Sequence, residues 1–322
     1  MAKPSAKTAQ AAIEVKGLEK VYQGRKKMKP TLALKGIDLT IPQGSMFALL
    51  GPNGAGKSTF INILAGLVKK TSGAANIWGF DIDKNPRNAR SSIGVVTQEV
   101  FIDAFFTPFE VLDLQAGLYG VPKKERRTMD LLKLVHLEDQ AHAYARTLSG
   151  GMKRRLMIAK AMVHSPPILV LDEPTAGVDV ELRHELWENV RTLHSQGVTI
   201  VLTTHYLEEA EELCDTIAII NHGEVIACEP KQKILSRIDD KEIVIELKKP
   251  LKALPTGLKK FHTHLVDPKT ISIQISRGDS HVSEILVAIT KAKLDIHDIK
   301  TTETDLEDIF IQLTRKPAKP AP

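Results

Sequence analysis

The sequence predicts an α/β fold: a large domain with a mixed sheet and a helical subdomain, followed by a small C-terminal α+β domain. Three patterns carry this expectation. Apolar strand-like runs alternate with helical patterns between Met46 and His205, which implies a largely parallel sheet with covered faces. The stretch from about 99 to 163 is helix-like throughout and reads as a subdomain inserted between sheet segments. Beyond Ile238 short strands and helices are mixed, as in a separate, smaller unit.

In chain order, residues 1–11 are rich in Lys and Ala and read as a flexible tail. "AIEVKGL" and "ALKGIDLTI" alternate apolar and polar residues like half-buried strands, and "MFALLG" is a more continuous buried run ending at Gly51. "KSTFINILAGLVKK" places Phe60, Ile63, Leu64 and Leu67 at helical intervals. Three further helical patterns, "FEVLDLQAGLYG", "ERRTMDLLKLVHL" and "MKRRLMIAKAMV", fill the helical subdomain. "PPILVLDEP" and "VTIVLTTH" are strands flanking the helical "ELRHELWENVRTLHSQG". The larger domain is expected over 12–237 and the smaller over 238–315. In the latter, "EIVIEL" and "TISIQIS" read as strands, "HVSEILVAITKAKL" and "DLEDIFIQLT" as helices, and 316–322 as a tail.

Composition narrows the classes. A chain of 322 residues with 43% hydrophobic and 26% charged residues can bury a sizeable core and suits two domains. The net charge of +5 is mild, so no nucleic-acid partner is expected. No apolar run approaches the roughly 20 residues that span a bilayer, and the N-terminus lacks a secretory signal, so a cytoplasmic location is expected. Cys214 and Cys228 are too few for a disulfide framework or a zinc site and read as structural thiols.

The chemistry concentrates in short motifs. "GPNGAGKS", Gly51 to Ser58, follows a strand and opens a helix. Its glycines let the backbone approach phosphate, the helix N-terminus favours an anion, Lys57 adds charge, and Ser58 can ligate Mg²⁺. Asp172 ends an apolar strand, where a carboxylate can hold Mg²⁺, and Glu173 is placed to take a proton from an attacking water. Gln98 can contact Mg²⁺ or that water. His205, 32 residues after Glu173, is a candidate γ-phosphate contact.

In order, Tyr22, GPNGAGKS, Gln98, "LSGGMKRR", "ILVLDEP", "AGVD" and His205 resemble the ATP-binding subunit of an ABC transporter, over roughly Ile13 to Lys233. The resemblance implies a P-loop ABC ATPase domain using ATP and Mg²⁺. It assigns nucleotide contacts to Tyr22, against adenine, and to Gly51, Pro52, Asn53, Gly54, Ala55, Gly56, Lys57, Ser58 and Thr59. Magnesium falls to Ser58, Gln98 and Asp172, and catalysis to Glu173, His205, Lys57 and Gln98. It also implies a head-to-tail homodimer in which Ser149, Gly150 and Gly151 of LSGGMKRR cover the ATP held by the other chain. Asp179 has a role across that interface, although "AGVD" departs from the commoner S-A-L-D form. "EPTAGVDVELR", "LTTHYLEEAEELCD" and "DLEDIFIQLT" look like ABC-2-type exporter ATPases of the YadG-like subgroup.

That resemblance implies an ABC-2-type membrane permease as partner and a peripheral position on the inner face of the cell membrane. Phe101, Phe105, Phe106 and Phe109 are where related transporters grip a short helix of the membrane subunit, although packing of the helical insert also accounts for some of these rings. The basic stretch "GRKKMKP", 24–30, reads as a solvated loop or as a contact for anionic headgroups. The alternative reading is a non-transport ABC ATPase, acting as an assembly factor or on nucleic acid or ribosomes.

Overall fold

A computed structural model describes residues 10–24, 29–176, 180–235, 241–251, 254, 255, 257, 258, 261–275, 282–292 and 294–303. Asp179, most of the basic stretch 24–30, the expected helix at 305–314 and the C-terminal tail lie outside the described residues. The chain divides into two compact units, Met1–Cys228 and Glu229–Pro322.

The first unit opens with strands β1 (Ala11–Tyr22), β2 (Thr31–Pro42) and β3 (Met46–Leu50), then helix α1 (Lys57–Leu64). Next come β4 (Ser72–Ile77), β5 (Phe80–Asp81), α2 (Pro86–Ser91) and β6 (Ile93–Val96). The helical insert holds α3 (Pro108–Leu118), α4 (Thr128–Leu134) and α5 (Gly150–Ala161). The chain returns to the sheet through β7 (Ile168–Asp172), α6 (Val180–Ser195), β8 (Thr199–Thr204), α7 (Leu207–Leu213), β9 (Thr216–Asn221) and β10 (Glu224–Pro230).

These strands form a sheet in the order β2-β1-β4-β5 and a second in the order β10-β9-β3-β8-β7-β6. The core between them and α1 includes Ile13, Leu18, Phe47, Phe60, Ile63 and Val201. Strands β3, β7 and β8 are buried along their whole length, as expected of a sheet covered on both faces. Their parallel registers align the C-terminal ends: Leu50 pairs with Thr204, Asp172 with Thr203 and Val96 with Leu171. The loops leaving β3, β6, β7 and β8 therefore emerge on one edge, the usual ligand crevice of an α/β sheet.

Helix α1 is shorter than its apolar spacing predicts. Gly66, at φ 71°, donates to Ile63 O at 3.0 Å, and Leu67 N donates to Asn62 O at 2.9 Å, a Schellman stop that leaves Leu67 exposed. In the insert, Thr107 and Glu110 cap α3 reciprocally with Pro108 at its first turn. Cys214 is buried as a structural thiol would be; Cys228 is exposed, which corrects that reading, because it falls on an outward position of a strand that alternates in burial.

The second unit holds α8 (Lys231–Leu235), β11 (Lys241–Leu247), β12 (His262–Asp267), β13 (Thr270–Ile275), α9 (Val282–Lys291) and β14 (Ile296–Glu303). Its strands form an antiparallel sheet in the order β12-β13-β11-β14, and Ile285 and Ile289 of α9 share a core with Ile245, Ile271 and Ile273.

Candidate functional site

The 51–56 loop is closely packed. A Cβ on Gly51 would lie 2.3 Å from Ile220 O, and Gly56, at φ 111°, leaves only 2.8 Å to Ala33 O, so neither position accepts a side chain without rearrangement. Gly51 N donates to Thr204 O at 3.3 Å, and Gly223 N donates to Ala55 O at 2.8 Å, which anchors the loop to β8 and to the β9–β10 turn. Pro52, Asn53, Gly54 and Ser58 remain exposed. Helix α1 begins with no side-chain cap and no carboxylate in its first turn. The N–H groups of that turn are thus a donor set suited to an anion.

Lys57 is buried. Its Nζ donates to Gly51 O at 2.7 Å and Pro52 O at 3.3 Å, and lies 3.3 Å from Glu173 Oε1. Glu173, also buried, has φ 47°, a left-handed conformation that a non-glycine residue adopts at a cost and that clusters at functional sites. Its N–H bonds Thr203 O at 3.0 Å and Thr203 Oγ1 at 3.1 Å, which holds the turn. Gln98 Nε2 donates to Glu173 Oε2 at 3.2 Å, and His205 Nδ1 lies 3.3 Å from the same oxygen. Four separated segments thus meet at one carboxylate. Neighbouring Asp172 accepts from Thr203 Oγ1.

Tyr22, at the end of β1, is 40% exposed and so fills no core edge; its hydroxyl is 3.5 Å from Thr59 Oγ1 and Lys20 Nζ lies 4.8 Å from its ring centre. Ser149 is the N-cap of α5 and accepts from Met152 N at 3.2 Å. Ser149 and Gly150 are exposed and Gly151 is buried. No hydrogen bond or ion pair among the described residues brings these three into the Glu173 cluster.

Two contributors escaped motif reading. Thr203 sits inside an apolar run, its hydroxyl turned to Asp172 and the Glu173 turn. Arg154 belongs to LSGGMKRR, where it reads as one more surface charge, yet it donates to Gln98 O at 2.9 Å and Ala176 O at 3.0 Å.

A hydroxyl (Ser58), an amide (Gln98) and a carboxylate (Asp172) fit Mg²⁺, which keeps waters and phosphate oxygens as further ligands. An all-protein cage does not arise: among the described residues no three His, Cys, Asp or Glu side chains gather as a metal cluster. None of the described helices is long and apolar enough to cross a membrane.

Residues 34–176 match the family model described as "ABC transporter". The chain is 34% identical over 310 residues to the linearmycin resistance ATP-binding protein LnrL of Bacillus subtilis (strain 168), covering 94% of this chain and 98% of that protein. It is 36% identical over 318 residues to the daunorubicin/doxorubicin resistance ATP-binding protein DrrA of Streptomyces peucetius, covering 95% and 93%. Among solved structures, a dimeric post-hydrolysis state of the ATP-binding cassette MJ0796 bound to ADP and Pi is similar, with a TM-score of 0.61 and 28% identity over 68% of this chain and 98% of that one.

Proposed function

Since the chain belongs to the ATP-binding proteins of ABC transporters, ATPases that work with ATP and Mg²⁺, we propose that it powers an ABC-2-type exporter by ATP-driven closure of its own homodimer against a separately encoded membrane permease. The observation that carries this reading is the buried Glu173 carboxylate, within 3.3 Å of Lys57, Gln98 and His205 side chains drawn from separate segments.

In this proposal the first-turn N–H groups of α1, the 51–56 backbone and Lys57 bind the phosphates, and Tyr22 stacks on adenine. Mg²⁺, held by Ser58, Gln98 and Asp172, supplies charge neutralisation to the phosphate oxygens. Glu173 takes the proton of the attacking water as the water oxygen bonds to the γ-phosphorus. The bond from that phosphorus to the β-phosphate oxygen breaks, and the electron pair leaves with ADP. His205 steadies the γ-phosphate and, with Gln98, orients the Glu173 carboxylate. Ser149 and the N–H groups of Gly150 and Gly151 cap the partner chain's nucleotide, and Asp179, outside the described residues, acts at the same interface.

The permease assignment draws on the resistance functions named for LnrL and DrrA. It also draws on an apolar surface at the start of the helical insert, where Phe101 and Phe105 are 66% and 73% exposed. Phe109, against the His142 ring, belongs to packing rather than to this surface. The permease holds the chain on the cytoplasmic face of the membrane, and the C-terminal unit serves as an accessory domain.

Glu173→Gln tests the site. Loss of a general base costs on the order of 10²–10⁴ in rate, so this variant should bind Mg-ATP, accumulate as an ATP-bound dimer by size-exclusion chromatography, and hydrolyse at that reduced rate. Near-normal turnover contradicts the assignment.

A further inference from the structure

Arg154 lies in the second turn of α5, and its two terminal nitrogens reach different loops. Nη1 donates to Gln98 O at 2.9 Å and Nη2 to Ala176 O at 3.0 Å. Both loops are already joined to Glu173: the Gln98 amide donates to its Oε2 at 3.2 Å, and Ala176 N donates to its main-chain O at 3.2 Å. One guanidinium therefore closes a circuit around the carboxylate, bracing the loop before it in sequence and the turn after it. The planar fork of arginine suits this task, because separate N–H groups at fixed angles serve two acceptors at once. Its neighbour Arg155 faces elsewhere, donating to Val135 O at 3.1 Å and pairing with Glu185 at 3.7 Å.

The bracing group stands on the helix whose first residues are the exposed Ser149–Gly150 turn. Arg154 stands five positions after Ser149, a rise of about 7.5 Å, so a displacement of the turn is carried rigidly to the guanidinium. We propose that Arg154 is a positioning residue for ATP hydrolysis, linking the α5 turn that meets the partner chain's nucleotide to the two loops that hold Glu173 of its own chain. Each chain then senses the occupancy of one site through α5 and sets the carboxylate of the other. This inference rests on the assignments of Glu173 and Ser149 made above.

The test is a kinetic double-mutant cycle on the full chain with Arg154→Met and Gln98→Ala, alongside Arg154→Lys and Glu173→Gln. Misplacing a reacting group by about 1 Å costs up to about 10²-fold. Arg154→Met should therefore lower kcat about 10- to 100-fold while KM and the Kd for Mg-ATP stay within about threefold. Arg154→Lys, able to serve one carbonyl at a time, should recover part of the loss. Because Arg154 acts through Gln98 and its loop, the double variant should be little slower than the slower single variant. A merely structural role would move Kd, melting temperature and kcat together. An unchanged kcat in Arg154→Met, or losses that multiply in the double variant, overturns the inference. If the Met variant does not fold, the same cycle with Arg154→Lys decides. Full turnover in Glu173→Gln overturns the underlying reading and this inference with it. An inactive Glu173→Gln with multiplying losses removes Arg154's role alone.

Discussion

The chain builds two glycine-containing turns ahead of helices, at 51–56 and at 149–151, and they are made differently. At the first, the protein's own packing demands glycine: Ile220 O and Ala33 O stand where side chains on Gly51 and Gly56 would begin. Helix α1 has no side-chain cap, and a buried lysine draws the loop carbonyls inward. At the second, Ser149 caps α5 from within, and a Cβ on Gly150 would meet nothing within 4 Å. Among the described residues nothing asks for glycine at position 150. A residue that costs helix stability without relieving a local clash points to a requirement from outside the chain, such as the close approach of a partner's nucleotide.

That contrast makes opposite predictions for the same substitution. Gly51→Ala should have the largest effect, since overpacking costs about 1–3 kcal/mol or more and the displaced loop also carries the N–H groups proposed to bind phosphate. Thermal unfolding and nucleotide binding should both suffer. A native-like melting temperature would break the comparison at its first half. Gly150→Ala should instead leave the fold intact or stabilise it by about 0.5–1 kcal/mol, while ATP-dependent dimerisation and turnover fall. Normal turnover in that variant would break the second half.

The smallest expected effect lies at the far end of α5. His164 stacks on Tyr119 with ring centres 3.7 Å apart, and neither ring nitrogen, both buried, has a hydrogen bond of good geometry among the described residues. Burial pushes its pKa down from 6.5 to about 4. A depressed histidine contributes stability in full above the ordinary value and loses it as pH falls from 6.5 toward 4, because the unfolded chain takes up the proton first. His164→Phe, which keeps the stack and removes the titration, should flatten the fall in melting temperature across that window. Partial exposure of the ring limits the difference to the order of 1 kcal/mol. An unchanged slope would mean that the C-terminal end of α5 is not held by this neutral ring, and would sharpen attention on its N-terminal turn.

What the sequence made legible follows from how local each feature is. The strand, loop and helix of 46–64 and the strand ending at Asp172 read directly, because burial on both faces writes a continuous apolar run and GPNGAGKS is contiguous. The convergence of Gln98, Glu173 and His205 was legible only as a family resemblance, since parallel pairing brings together residues far apart in the chain. Several strands left little trace. Ser72–Ile77 is mostly small and polar, Ile93–Val96 spans four residues, and Glu224–Pro230 alternates between exposed and half-buried with no fully buried position. Leu67 fits the helical spacing and still falls outside the helix, because Gly66 ends it. Arg154 was hidden because its partners are main-chain oxygens, which no side-chain pattern reports.

The central claim is that the second turn completes the site of another chain. Its most direct test mixes two defective variants, Lys57→Ala and Ser149→Arg, carrying different tags, and purifies the heterodimer. Each homodimer then has every site damaged. In the heterodimer, sharing between chains places both defects in one site and joins an intact Lys57 to an intact Ser149 in the other. Tight Mg-ATP binding should return at about one site per heterodimer, through the second helix N-terminus proposed to cap the phosphate, and be absent from both homodimers. Heterodimers that form but bind no nucleotide tightly would contradict the account.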